Sequence, residues 1–275
     1  MRAQRGGAPR NILLAAALVA FLTPLAWTAL ASLGLQPDST THPPSWTGPL
    51  TLEHFLEIGV AEPTFMQELI TSSLSAASAA VLAVAAAYLA AYGLARSASG
   101  AGRAVAQGFL VLASLPVMAY VIPLSDLMRR AHLLDSFAGV VLSEAAVTAP
   151  LAVFVLHGTI AQLPTEWEEA AVLDGAGMLA ILGRVVLPLV APSVAATAIV
   201  LFVIDWNMLL VPLVLTSGDI KTIPVAMSDF FTFERELEWP TAAAALVVSL
   251  APVAVLVSLF HGVLDRFSLD LATAA

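Results

Sequence analysis

SAASAAVLAVAAAYLAAYGL, residues Ser75–Leu94, runs for twenty positions without one charged side chain. That is about the length a helix needs to cross the hydrocarbon of a bilayer. The run is rich in alanine, leucine and valine and does not alternate apolar with polar. In lipid every backbone N–H and C=O must be satisfied internally, so only helices or a closed barrel qualify. A barrel strand shows period-two alternation over about ten residues. This stretch therefore reads as a membrane-spanning helix, and it sets the class of the whole chain.

Composition agrees. Of 275 residues, 59% are hydrophobic and only 11% are charged, against about 25% charged in a soluble domain. A chain so poor in charge cannot cover its own surface in water. Working outward, six stretches predict spans: Asn11–Leu33, Leu69–Leu94, Ala104–Leu124, Ala138–Leu163, Ser193–Leu215 and Thr241–Leu264. The expected fold is an all-α integral membrane protein with six transmembrane helices. The whole of 1–275 is expected to form one transmembrane domain. Its core is 69–264, and 1–68 supplies the first span and an extracytoplasmic loop. The long polar linker Gln36–Glu68, with QPDSTTHPPSWTGP, accounts for that loop.

Basic residues set orientation, because cytoplasmic loops hold the excess of Lys and Arg. With both termini inside, the inner face holds Arg2, Arg5, Arg10, Arg96, Arg103, Arg184 and Arg266. The outer face holds Arg129, Arg130, Lys221 and Arg235. Seven against four favours N-in, C-in. The arginine-rich start and the small-residue run ALAS at Ala29–Ser32 also match a cleaved signal peptide. The five later spans favour a retained anchor.

The chain has no cysteine, which excludes disulfides, thiolate catalysis and Cys-based metal sites. His42, His54, His132, His157 and His261 show no ligand spacing. There is no HExxH, no GxSxG and no P-loop. No catalytic residue, cofactor or metal is expected.

The segment that a simple spanning protein does not need is Pro164–Pro192, PTEWEEAAVLDGAGMLAILGRVVLPLVAP, between spans four and five. Thr165 with Glu168 three residues on is the pattern of a capping box. Glu166, Glu168 and Glu169 sit in the first turn, where the helix dipole favours negative charge. Gly175 and Gly177 then break the helix. A second short helix, Met178–Leu187, leads to Pro188 and Pro192. The expected picture is two short helices and a glycine bend at the membrane surface. Small residues there suit the close approach of another protein. A plain connecting loop explains the composition equally well.

EAAVLDGAG at Glu169–Gly177, followed by VVLPL at Val185–Leu189, resembles the EAA motif of ABC importer permeases. The motif is Glu-Ala-Ala, three residues, Gly, nine residues, then Ile-x-Leu-Pro. Here Glu169-Ala170-Ala171, Gly175 and Val185-x-Leu187-Pro188 meet that spacing, with Val in place of Ile. Four further stretches are similar to the carbohydrate, maltose-permease-like branch. They are AAYGLAR (Ala90–Arg96), IPLSDLMRRAHLLDSFAGVVL (Ile122–Leu142), DWNMLLVPLVLT (Asp205–Thr216) and TIPVAMSDF (Thr222–Phe230). The resemblance covers nearly the whole chain. It departs at Met208, since members often carry an acidic residue after the Trp-Asn pair.

The resemblance implies a coupling helix seated in a cleft of a cytoplasmic ATPase. Its contact residues would be Glu169, Ala170, Ala171, Asp174 and Gly175, with Pro188 stiffening re-entry into the next span. It implies further partners: a second homologous permease subunit, the ATPase dimer and an extracytoplasmic solute-binding protein. No nucleic acid is implied; lipid surrounds the chain. The location is the cell membrane, multi-pass, and the cargo a sugar or sugar-like solute. Asp205, Trp206 and Asn207 make a polar-aromatic patch suited to a sugar path, as aromatic faces stack on sugar rings. Glu144 in span four is a further path candidate. A structural hydrogen bond to a neighbouring helix explains Asp205 as well. Ser72, Ser73, Ser75 and Ser78 read as a close helix-packing face. An alternative function is an ion-gradient-driven secondary transporter using Glu144 and Asp205, although no internal repeat is visible.

Overall fold

The computed structural model describes residues 7–38, 45–58, 63–97, 101–218, 220–230 and 239–260. The basic residues Arg2, Arg5, Arg235 and Arg266, used above for orientation, and His42 and His261 lie outside them. In chain order the elements are α1 (Gly7–Ser32), β1 (Gln36–Asp38), β2 (Ser45–Thr47), α2 (Glu53–Leu56), α3 (Pro63–Ala95) and α4 (Gly102–Ala113). They continue with α5 (Val121–Arg130), α6 (Phe137–Ile160), α7 (Glu166–Leu173), α8 (Met178–Ala180) and α9 (Leu187–Trp206). The last are α10 (Leu210–Leu215), α11 (Ile223–Phe230) and α12 (Trp239–Ser249). Among the described residues the regular elements are helices apart from the antiparallel pair β1–β2, in which Pro37 faces Trp46.

Among the described residues five helices are long and apolar enough to cross a membrane: Arg10–Ser32, Thr64–Ala95, Phe137–Ile160, Met178–Trp206 and Trp239–Phe260. Four of them fall on the expected spans one, two, four and six. The expected third span is not one helix. α4 stops at Ala113, and a short 3-10 turn, Val117–Ala119, precedes α5. Pro116 sits between them in extended backbone, φ −64° and ψ 136°. It has no N–H to donate, and its ring disfavours helical backbone at Leu115. The twelve residues of α4 extend only about 18 Å at 1.5 Å per residue, short of the ~30 Å hydrocarbon core.

The fifth span also differs. It begins at Met178 rather than Ser193 and ends at Trp206. The second short surface helix expected over Met178–Leu187 is the opening of this span. A π-helical segment, Ile181–Val186, joins α8 to α9. Pro188 falls in the first turn of α9, where a missing N–H costs little.

The chain divides into two compact units. One comprises Met1–Gln67 and Ala226–Ala251; the other comprises Glu68–Val225 and Pro252–Ala275. In the first, α12 packs along α1 and against α2. Ala242–Ala245 are buried there, whereas Ile12, Leu13, Leu14 and Phe21 of α1 are exposed. Apolar side chains displayed at such density suit a lipid surface. Thr241 donates to Glu57 at 2.9 Å and ties the start of α12 to the α2 turn.

In the second unit α6 packs against α4 and α9, and α10 packs against α5 and α6. Ser136 caps α6, accepting from the Gly139 N–H at 3.0 Å. A Cβ at position 139 would come within 2.0 Å of the Leu133 carbonyl oxygen, so only glycine fits. Val121, Met128, Met208, Val211 and Leu215 form a buried cluster around α10. The Asp135 carboxylate accepts from the Ser217 hydroxyl at 2.6 Å and its N–H at 3.2 Å. On α3 the expected serine face is partly realised: Ser72 and Ser75 are buried, and the Ser72 hydroxyl accepts from the Ile223 N–H at 2.6 Å. Arg129 and Arg130 pair with Asp126 on the exposed last turns of α5, where solvent screens the pairs.

Candidate functional site

The charged segment folds into α7 and a sharp bend. Thr165 precedes the helix, but its side chain makes no capping bond. The expected capping box is therefore absent. The reason is that Glu168 is engaged elsewhere. Its Oε1 accepts from Arg96 Nε at 2.9 Å and Nη2 at 2.6 Å, and its Oε2 accepts from the Tyr92 hydroxyl at 2.7 Å. Arg96 Nη2 also reaches the Leu163 carbonyl at 3.3 Å, in the turn that leads into α7.

The C-terminal end is built as a Schellman motif. The Ala176 N–H donates to the Ala171 carbonyl and the Gly175 N–H to the Val172 carbonyl, both at 2.9 Å. That closure needs a left-handed residue at position 175, and Gly175 has φ +82°. Glycine adopts this region without a Cβ penalty.

Glu169, Ala170, Asp174, Gly175 and Pro188 are exposed, and Ala171 is half-buried. α7 thus turns Glu168 inward and leaves Glu166 and Glu169 outward. Trp167, Val172, Leu173, Met178 and Leu179 are exposed around the same bend, Leu173 and Leu179 at 88% and 85%. Large apolar side chains displayed together at a surface mark contact with either another protein or lipid. Sequence reasoning passed over these apolar residues, took Glu168 only as a capping-box partner and Arg96 only as an inner-face charge, and gave Tyr92 no role of its own. The apolar ones were legible as misfits in a charged loop; the Arg96–Glu168 contact spans 72 residues and left no local signal.

Burial raises the Glu168 carboxyl, while the bonds from Arg96 and Tyr92 lower it; the bonds prevail and hold it below the ordinary glutamate range. A depressed carboxyl contributes its stabilisation above the unfolded value and loses it as pH falls through the folded value. A spin label at Ala170→Cys, clean because the chain lacks cysteine, is expected to keep its mobility from neutral pH down to about 4.3, the ordinary glutamate value. It loosens only below that. In Glu168→Gln the label is expected to be loose already at neutral pH; equal mobility in the two proteins would contradict this role for Glu168.

The second group lies inside the α6–α9 contact. Glu144 is 1% exposed and Asp205 3%, and they are close enough to interact electrostatically. Glu144 Oε2, both Asp205 oxygens and Ser143 Oγ have no hydrogen-bond partner. The Thr148 hydroxyl lies within reach of Asp205, but its geometry is that of a donor to the Glu144 carbonyl at 3.0 Å, which leaves Asp205 without that proton. Trp206 is buried and stacks on Phe202, with ring centroids 6.0 Å apart. Asn207 is exposed and donates to the Val203 carbonyl at 2.7 Å, closing its own helix. So Glu144 and Asp205 are both buried, whereas Asn207 is exposed. No cluster of three or more His, Cys, Asp or Glu suited to a metal ion occurs among the described residues.

The comparisons bear on the whole chain. Residues 83–268 match the family described as binding-protein-dependent transport system inner membrane component. The trehalose transport system permease protein SugB of Mycobacterium tuberculosis is 32% identical over 245 residues, 87% of this chain and 88% of that protein. The sulfoquinovosyl glycerol transport system permease protein SmoH of Agrobacterium fabrum is 29% identical over 246 residues, 89% of this chain and 86% of that one. Among solved structures, a chain of a bacterial ABC transporter involved in import of the acidic polysaccharide alginate superposes with a TM-score of 0.74. It covers 97% of this chain and 99% of its own at 18% identity, which establishes likeness of fold.

Proposed function

The chain belongs to the family of binding-protein-dependent transport system inner membrane components, and we propose that within it this chain is the permease subunit of an ATP-driven importer for a sugar or sugar-like solute. It is a multi-pass protein of the cell membrane, and transport rather than catalysis is its family's work. Sugar permeases among its relatives support the cargo class.

The observation that carries the coupling role is α7 with its bend. A helix outside the long apolar spans and the bend that ends it present Glu169, Ala170, Asp174 and Gly175 together with exposed Leu173, and Leu179 is exposed at the opening of the span that follows. That surface fits a cleft on a separate ATPase. The sequence has no P-loop, and its one lysine is Lys221. ATP closure of an ATPase dimer would then push on α7 and rock the spans. In this reading 1–275 forms one permease domain with six crossings, N-in and C-in, α4 and α5 together making the crossing that no single helix supplies. A second homologous permease completes the path, and a solute-binding protein delivers cargo from outside.

For the solute path we keep Glu144, Asp205, Trp206 and Asn207. Two buried carboxylates with three unpartnered oxygens between them, Glu144 Oε2 and both of Asp205, are expensive inside a membrane, and such groups mark pathways and relays. The same observation favours one other reading, a transporter driven by an ion gradient through Glu144 and Asp205. The two readings part in what powers uptake: ATP hydrolysed by a co-purifying ATPase, or a gradient acting on this chain alone.

A further inference from the structure

Tyr88, Tyr92 and Arg96 stand four residues apart on α3, so they share one helix face. Each reaches across to the segment between α6 and α9. Tyr88 donates to the Leu182 carbonyl at 2.8 Å, inside the π-helical stretch. Tyr92 and Arg96 hold Glu168 of α7, and Arg96 also holds the turn at Leu163. One row of side chains therefore grips α7, the turn before it and the irregular opening of the following span.

We propose that this row is the latch that transmits movement of α7 into α3, with Arg96 and Glu168 as its positioning pair. The proposal rests on the reading of α7 as the ATPase-docking helix. Covalently, α7 is joined to α6 through 161–165 and to α8 across the Gly175 bend, but not to α3. A push on α7 passes directly to α3 through these side chains, and α3 is the longest helix described, at 33 residues. The contacts suit that duty. The Arg96 and Glu168 side chains are only 17% and 12% exposed, so water competes poorly with them. Charge-assisted bonds to both carboxylate oxygens fix direction as well as distance. Tyr88 anchors at a π segment, a feature that recurs at functional sites, and there the Leu182 carbonyl also accepts from the Leu187 N–H. Within one acidic turn the labour divides: Glu168 faces the chain's own α3, and Glu166 and Glu169 face outward.

The test uses the whole complex purified through this chain and reconstituted in liposomes. Three quantities are read: ATPase retained, ATP hydrolysed and solute taken up. Arg96→Glu and Glu168→Arg are each expected to retain the ATPase and its hydrolysis while uptake per ATP falls about tenfold or more, as expected for loss of charge-assisted bonds. The double swap, Arg96→Glu with Glu168→Arg, is expected to recover most of that loss. A merely structural pair would lower assembly and leave uptake per ATP unchanged. Unchanged uptake per ATP in the single variants, or no recovery in the double, overturns the latch. If the charge reversals fail to insert, Tyr92→Phe decides. It removes one hydroxyl and is expected to lower uptake per ATP about threefold or more with normal assembly; no change overturns the proposal. Failure of the docking reading looks different, since the unaltered chain would then retain no ATPase.

Discussion

Gly175→Val is expected to abolish solute uptake, by about a hundredfold, in a chain that still inserts in the membrane. The cause is conformational. Position 175 has φ +82°, and holding a non-glycine residue in such a region costs about 1–3 kcal/mol, up to about a hundredfold. A β-branched residue there is a genuine outlier. The Schellman bonds from Gly175 and Ala176 would open, and the bend would no longer present Asp174 and Leu173 as one surface. Steric clash within the chain is not the cause, because a Cβ at Gly175 meets nothing within 4 Å. Asparagine tolerates left-handed backbone, so Gly175→Asn separates two effects. Retained uptake means bend shape is what matters; lost uptake means the partner approaches the Cα closely. Glu169→Lys completes the series. Glu169 is exposed in the first turn of α7, and reversing its charge opposes the helix dipole by only about 0.3–1 kcal/mol. α7 survives, so loss of uptake in this variant reports on the partner. Normal uptake in both Gly175→Val and Glu169→Lys would remove the coupling assignment.

Asp205→Leu is expected to raise thermal stability while uptake falls about tenfold or more. Both Asp205 oxygens are buried without partners, and an unsatisfied buried polar group costs about 1–3 kcal/mol. Apolar replacement relieves that cost. A group that weakens the fold and persists inside the membrane is best explained by work in transport. Melting of the detergent-solubilised complex and uptake in liposomes are the two readouts. A destabilised variant with normal uptake would instead make Asp205 a structural residue of the α6–α9 contact.

Much of the architecture was legible in hydropathy, because insertion depends on length and apolarity alone. Four expected spans match four of the five long helices to within a few residues at most boundaries. The misses have local causes. Residues 104–124 are apolar enough to suggest a span, but Pro116 divides them. Pro188 and Pro192 suggested a loop, yet Pro188 is tolerated in the first turn of α9 and Pro192 lies inside the same helix. The glycine at 175 and its left-handed turn follow from a helix-end pattern of a few residues. Glu168 shows where such patterns end: its sequence neighbourhood offers a capping box, and its actual partners are Arg96 and Tyr92 on another helix. Nor does hydropathy show that Trp206 packs on Phe202 while its neighbour Asn207 stays outside.

The most direct measurement is solute uptake by the purified complex in sealed liposomes, with the binding protein outside and the energy source varied. Uptake that requires ATP on the face bearing α7, tracks hydrolysis by a co-purified ATPase and ignores imposed proton or sodium gradients is the predicted result. Uptake by this chain alone, driven by an ion gradient and indifferent to ATP, would contradict it and return Glu144 and Asp205 to the centre of the mechanism.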